Sequence, residues 1–124
     1  MERKNRLNHS LDIQRVRRGG RSVAHPLFVL IHYRDASLDA AQVGVVASKA
    51  VGGAVERNRA KRVLRSAATE LHDHIAKDQM ILLLARKGIL EYDSGEIRNV
   101  LAEQLKKAGI YRDIEQESVD SDHS

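Results

Sequence analysis

Residues 51–65 read VGGAVERNRAKRVLR and place two glycines directly before a dense run of cationic side chains. Five cations fall within nine residues: Arg57, Arg59, Lys61, Arg62 and Arg65. Apolar residues recur here at the spacing of one helical stripe, which predicts a long helix over about residues 54–75. The stripe consists of Ala60, Leu64, Ala67, Ala68, Leu71 and Ile75. At about 100° per residue the cations fan across the remaining arc, so the helix is predicted to have one buried side and one strongly basic side.

The basic side of this helix is predicted to bind phosphate groups. Like charges four residues apart repel by roughly 0.2–0.5 kcal/mol per pair, and only Glu56 and Glu70 lie near enough to offset them. The planar guanidinium group suits bidentate phosphate contacts, Asn58 can contact a sugar, and free N–H groups at the helix start favour an anion. The alternative is an ordinary solvated helix face.

The segments on either side of this helix are predicted to be strands. LFVLIHY (27–33) and QVGVVAS (42–48) precede it, the second expected to run antiparallel to the first, and KDQMILLLAR (77–86) follows it. The long helix then joins the second strand to the third as in a βαβ unit, for which the general rule favours a right-handed crossover.

Two further helices complete the predicted fold. The first has Ser10 as its cap, ends at the glycine pair 19–20, and has three apolar positions: Leu11, Ile13 and Val16. The last is capped by Asp93 or Ser94, ends at Gly109, and has the stripe Ile97, Val100, Leu101 and Leu105. This order predicts the α/β class, an α+β two-layer sandwich with helices packed on a mixed central sheet.

Charge is unevenly distributed along the 124 residues. The formal net charge is +4, but residues 1–112 contain all 21 basic and only 12 acidic side chains, a formal charge of +9. Residues 1–112 are therefore predicted to form one domain whose positive charge favours a nucleic acid over a membrane as partner, and residues 113–124 an acidic, disordered tail. The sequence has no cysteine, no apolar run long enough to span a bilayer and no apolar export core, so a cytoplasmic location is expected.

The chain contains no convincing catalytic constellation. His72 and His74 are two residues apart on the predicted helix and face different directions, so solvated surface is favoured over a metal pair. An isolated Ser48-Lys49 pair does not indicate a nucleophile and its base without further context. No catalytic residue and no metal ligand is predicted.

The stretch 51–65 resembles the signature of the protein component of bacterial ribonuclease P, VGxAVxRNRxKRxxR. The resemblance extends over about residues 5–111. It includes NRL near the start, DIQRVRRGG, SVAHPLFVLIHY, QVGVVASKAVG before the signature, MILLLARKG after it and KKAGIY at the end of the last helix.

This resemblance implies both a fold and a partner. It implies a left-handed βαβ crossover, against the general rule, and a subunit that assists a catalytic RNA in removing the 5′ leader from precursor tRNA. The protein would bind no cofactor of its own, because the RNA would hold the Mg²⁺ ions. The signature residues implied to contact the RNA subunit are Arg57, Asn58, Arg59, Lys61, Arg62 and Arg65.

A cleft between the first helix and the central sheet is implied to hold the single-stranded leader. The residues predicted for it are Ile13, Arg17, Phe28, Ile31 and Lys49. Ile13, Arg17 and Ile31 stand where the family often has aromatics, so stacking is expected to be poorer here. A core role for Phe28 is an equal alternative. The alternative function is a general RNA-binding or ribosome-associated module; membrane and DNA partners are not expected, the latter for want of a helix-turn-helix pattern.

Overall fold

The computed structural model describes residues 2–113. In these residues the regular elements are α1 Ser10–Gly19, β1 Arg21–Ala24, β2 Phe28–Arg34, β3 Gln42–Val46, α2 Ala54–Leu71, β4 Gln79–Ala85 and α3 Ser94–Lys107. Short 3₁₀ turns cover Arg3–Asn5, His72–His74 and Lys87–Glu91. The strands form one mixed sheet in the order β1-β2-β4-β3, which confirms the predicted fold class.

β4 occupies an interior position of the sheet because its side chains are apolar on both faces. Met80, Ile81, Leu82 and Leu83 are all buried. β4 pairs antiparallel with β2 and parallel with β3. β3 therefore runs opposite to β2, as predicted, but β4 separates the two strands. α2 joins β3 to β4, as the predicted βαβ unit requires; its hand stays an expectation from the resemblance.

The sequence patterns did not predict β1 as a separate strand. β1 is only four residues long, and only Val23 among its side chains is half-buried rather than exposed. It forms because it pairs antiparallel with β2, Arg21 opposite His32 and Ala24 opposite Val29. A strand that is stabilised by pairing at a sheet edge rather than by burial carries little hydrophobic pattern.

Helices cover both faces of the sheet. α2 and α3 pack on the face that carries Phe28 and Leu83. α1 packs on the opposite face, where Val16 joins Ile31 and Leu82 in a second apolar cluster. Because successive strand residues alternate between the faces, neighbouring positions on β2 belong to different surfaces of the molecule.

α2 buries the side that the sequence pattern predicted. The buried residues of the helix are Ala60, Leu64, Ala67, Ala68 and Leu71. The helix ends at Leu71, four residues earlier than predicted, because a 3₁₀ turn follows it. Ile75 remains buried, at 2% exposure, but lies outside the helix.

The start of α1 differs from the prediction. His9 occupies the cap position without a side-chain hydrogen bond, and Ser10 is the first helical residue. Leu11 is 63% exposed, whereas Val16 is fully buried. The predicted Ser10 cap and the buried position of Leu11 are therefore wrong, because the short helix turns only a narrow side toward the sheet.

The ends of α3 agree with the prediction. The Glu96 N–H donates to the Asp93 carboxylate at 2.8 Å, and the Asp93 N–H donates to the Glu96 carboxylate at 3.3 Å. This is a capping box, in which each residue satisfies a donor that the helix cannot. Gly109 has a φ of 76° directly after the last turn, a conformation that favours glycine.

The predicted acidic tail, residues 113–124, lies outside the described residues, apart from Asp113. Among residues 2–113, no helix has both the length and the apolar character needed to cross a bilayer.

The turn before α2 gives a test of the glycine pair. Gly52 has a φ of 152°, and an added Cβ would lie 2.8 Å from the Glu56 Cβ. Gly52→Ala should therefore lower the free energy of unfolding by about 1–3 kcal/mol. Gly53 has a φ of −73° at the helix cap position, so Gly53→Ser should change it by less than about 0.5 kcal/mol. Urea unfolding followed by circular dichroism measures both; equal losses would contradict the assigned roles.

Candidate nucleic-acid interface

The six signature residues all lie on α2, and we call them the cationic face: Arg57, Asn58, Arg59, Lys61, Arg62 and Arg65. Four of them are exposed, while Arg57 and Lys61 are half-buried. The buried alanines and leucines of α2 belong to the apolar cluster that the helix forms with the sheet and α3. The helix thus separates its apolar and basic residues as predicted.

The five cations of this face have no carboxylate partner in the described part of the chain. Glu70, which could have offset them, is 3.4 Å from Arg98 on α3 instead. Because the charges are exposed, their mutual repulsion is modest and is screened by salt. The cations are therefore free to contact an external polyanion.

Glu56 changes the prediction that the N–H groups at the start of α2 attract an external anion. An ideal Cβ on Gly53 would lie 3.1 Å from the Glu56 Oε2 atom, so this carboxylate lies against the first turn of α2. A negative charge there already interacts favourably with the helix N-terminus. The exposed cationic side chains, rather than the N–H groups of the helix start, are thus the groups of α2 that remain open to an anion.

The residues predicted for the leader lie on different parts of the molecule. Ile13 and Ile31 meet in the apolar cluster between α1 and the sheet. Arg17 is exposed four residues after Ile13, on the same side of α1. Lys49 is exposed in the turn between β3 and α2. We call the surface between α1 and the sheet the α1 face.

Phe28 does not belong to the α1 face. Its side chain is fully buried, in the cluster formed with α2 and α3 on the opposite side of the sheet. β2 alternates its side chains between the two faces, so Phe28 and Ile31, three residues apart, lie on opposite ones. The structure assigns Phe28 to the core and removes it from the predicted leader site.

Tyr33 is an aromatic residue that the sequence reasoning did not place on the α1 face. It follows Ile31 by two residues on β2 and packs against the same apolar cluster. The period of two along a strand would have identified it. The Arg15 guanidinium carbon lies 5.4 Å from the centre of the Tyr33 ring. The α1 face therefore does contain an aromatic ring, half-buried beside α1.

Arg15 is fixed above Tyr33 by two acidic side chains. Its guanidinium lies 3.3 Å from the Asp12 carboxylate and 3.9 Å from that of Asp35. A hydrogen bond to Tyr33, together with these charges, raises the pKa of Arg15. Unlike the cations of α2, Arg15 already has partners within the protein, although its planar group can also stack on a base.

His72 and His74 take part in contacts with the backbone. His72 Nε2 is 2.8 Å from the Ala41 carbonyl oxygen, and His74 Nδ1 is 2.8 Å from that of Arg112. The His74 ring also stacks on Tyr111 at 5.1 Å between ring centres. These contacts hold the segment after α2 against its neighbours.

Comparison with known proteins identifies the family to which the chain is similar. The family model described as Ribonuclease P matches residues 1–109. The ribonuclease P protein component of Herpetosiphon aurantiacus is 35% identical over 123 residues, which cover 99% of this chain and 99% of that protein. That of Bacillus cereus is 34% identical over 112 residues, covering 90% of this chain and 97% of the other.

Solved structures of this family have the same fold. The RNase P protein of Staphylococcus aureus superimposes with a TM-score of 0.77 at 30% identity, over 87% of this chain and 98% of that one. The RNase P protein of Thermotoga maritima gives a TM-score of 0.73 at 26% identity, over 82% of this chain and 96% of that one.

The different surroundings of the two aromatic residues of β2 can be tested with matched substitutions. Phe28→Leu should lower the free energy of unfolding by about 1–3 kcal/mol, because it truncates a buried ring, and leave RNA affinity unchanged. Tyr33→Leu should weaken binding of a short single-stranded RNA by about 1 kcal/mol or more, because a stacking surface is lost. Urea unfolding and fluorescence anisotropy measure the two effects. Weaker RNA binding by Phe28→Leu at unchanged stability would return Phe28 to the binding surface.

Proposed function

Because the chain belongs to the bacterial ribonuclease P protein family, we propose that it is the protein subunit of a ribonuclease P ribonucleoprotein. In this role it binds the catalytic RNA and the 5′ leader of precursor tRNA, and it assists the Mg²⁺-dependent cleavage that removes the leader. The observation that carries the proposal is the cationic face of α2, whose five cations have no carboxylate partner within residues 2–113.

The cationic face supports the proposed binding of the catalytic RNA. Guanidinium groups bind phosphate oxygens through two parallel N–H donors, and four of the five cations are arginines. Each neutralised phosphate releases condensed counterions, so the affinity depends steeply on salt concentration. The separation of basic and apolar residues on α2 lets the helix contact RNA without disturbing the core.

The α1 face supports the proposed binding of the single-stranded 5′ leader. A single strand is held by cations along its backbone and by flat or apolar surfaces against its bases. Arg17 supplies an exposed cation, and the half-buried Tyr33 and Ile13 supply the apolar surface, beneath which Ile31 is buried. With one half-buried ring on this face, we expect apolar and electrostatic contacts to contribute more than stacking.

The chemical step belongs to the RNA in this proposal. Mg²⁺ ions held by the RNA would supply the activation of a water molecule and the stabilisation of the leaving oxygen. The protein contributes positive charge, which reduces the repulsion between RNA phosphates that must approach one another around these ions. The protein therefore lowers the Mg²⁺ concentration that cleavage requires.

Reconstitution tests the proposed function. Adding the protein to a bacterial ribonuclease P RNA and precursor tRNA at low Mg²⁺ should accelerate removal of the 5′ leader, measured as product formed with time on a denaturing gel. The rate advantage should shrink as Mg²⁺ rises, because the metal then screens the phosphates itself. A rate no faster than that of RNA alone, with RNA binding intact, would instead favour a general RNA-binding module.

The cationic face has its own test. Arg59→Ala with Arg62→Ala should weaken binding to the RNA subunit and reduce the slope of log affinity against log salt by about 1–2. The control replaces Lys77 and Lys87 with alanine, which removes the same charge from exposed positions outside α2. Filter binding at several salt concentrations compares the two. Equal effects of both double substitutions would restore the solvated-face interpretation.

A further inference from the structure

A cavity lies where the cationic face and the α1 face meet. It has a volume of about 260 Å³. Its walls come from the N-terminal segment 6–8, from Ile13 on α1, from residues 43–45 of β3 and from Arg65 on α2. We call it the junction cavity. It contains residues of both predicted RNA surfaces and two polar residues, Arg6 and Asn8, that belong to neither.

The charge of the junction cavity is entirely positive. Arg6 and Arg65 both line it, both are exposed, and no carboxylate is among its lining residues. Neither guanidinium makes an ion pair within residues 2–113. Arg34, by contrast, borders another cavity and is bound to Asp78 at 2.8 Å. Two unpaired guanidinium groups around one cavity without acidic residues favour an anion.

The edge of β3 adds a backbone donor to the same cavity. The Leu7 N–H donates to the Val43 carbonyl at 3.0 Å, so the backbone groups of Val43 point outward from the sheet. Because a strand has a period of two, the N–H of Val45 points to the same outer edge. Within residues 2–113, this N–H makes no hydrogen bond to a carbonyl of the N-terminal segment. Gly44 between them lets this segment lie close, since an added Cβ would be 2.5 Å from the Leu7 carbonyl oxygen.

We propose that the junction cavity binds a single phosphate group of an RNA backbone. Arg6 and Arg65 contact its oxygens from two sides, and the Val45 N–H and the Asn8 amide supply neutral donors. Ile13 gives an apolar wall for the adjoining ribose. The identity of the ligand as RNA rests on the proposed function, but the site itself rests on the cavity and its donors.

Binding one phosphate at this place has a consequence for the assembly. The phosphate is held by residues of the N-terminal segment and of α2, so it fixes these two parts of the protein relative to one RNA nucleotide. Arg65 thereby gains a specific ligand, distinct from the general attraction of the other cations on α2. Arg6 becomes a binding residue that the density of charge along the sequence does not reveal.

A double-substitution cycle tests whether both arginines hold the same phosphate. The probe is a single-stranded oligoribonucleotide of about eight nucleotides, within the size that small domains bind. Arg6→Gln and Arg65→Gln should each weaken binding about three- to tenfold, because each removes a charge-assisted contact. The affinity of the double variant for RNA should fall by less than the product of the two single fold-changes. The reason is that the first substitution already releases the phosphate on which the second would act. Lys87→Gln, an exposed cation outside the cavity, is the control and should change affinity less than about twofold.

Fluorescence anisotropy at fixed salt measures the affinities, and the ¹⁵N amide shift of Val45 on RNA addition supplies an independent readout. Losses no larger than that of Lys87→Gln would overturn the site. If the loss of affinity in the double variant equals the product of the two single losses, the arginines bind two separate phosphates and the site is overturned. An amide shift of Val45 that does not change when RNA is added to the wild-type protein would overturn it as well.

Repeating the double-substitution cycle with larger RNAs identifies the molecule that carries the phosphate. We call the effects of the two substitutions coupled when the double variant loses less affinity than the product of the single losses. Coupling seen with the RNA subunit alone would assign the phosphate to that RNA. Coupling only with leader-bearing precursor tRNA, and not with mature tRNA, would assign it to the leader. Coupling with the oligonucleotide in a protein that fails to accelerate cleavage would retain the site and reject the proposed function.

Discussion

The structure depends on the close packing of the narrow apolar side of α2 against the sheet and α3. Three of its five buried residues are alanines, which allow the helix to lie near its neighbours. A narrow buried side leaves a wide solvent-facing arc, and the sequence places cations there with few acids. Packing and function thus impose compatible demands on one helix. The basic residues need no accommodation by the core, and the core residues need no contact with a ligand of the basic side.

The sequence predicted the main features that α2 and α3 each determine by themselves, whereas it misplaced the cap of the shorter α1 and the side of Leu11. The buried stripe of α2, a cap of α3 at Asp93 or Ser94 and the end of α3 at Gly109 follow from periodicity and capping preferences within one helix. The basic side of α2 was predicted for the same reason, since helical geometry places the cations away from the apolar stripe. The six residues of the cationic face were implied as RNA contacts by the family resemblance, and that role stays a prediction. The fold class followed from the order of such elements.

The remaining features depend on pairing between segments far apart in the chain. β1 has little hydrophobic pattern and is stabilised by β2, so no local rule distinguishes it from a connection. Phe28 and Tyr33 are both aromatic residues of one strand, and only the packing of the helices shows which face of β2 is core. The junction cavity requires the N-terminal segment, α1, β3 and α2 together. Arg6 could not have been distinguished from the other N-terminal cations by the sequence alone.

The contact between Leu7 and Val43 also affects how the sheet meets other molecules. An edge strand with free N–H and C=O groups is a template for pairing with another chain, and proteins commonly protect such edges. Here β1 protects one edge by being short and polar, while the N-terminal segment lies along part of the other. The same segment thus occupies backbone groups of Val43 through which another strand could pair. Residues 6–8 therefore shield part of a strand edge as well as lining a cavity.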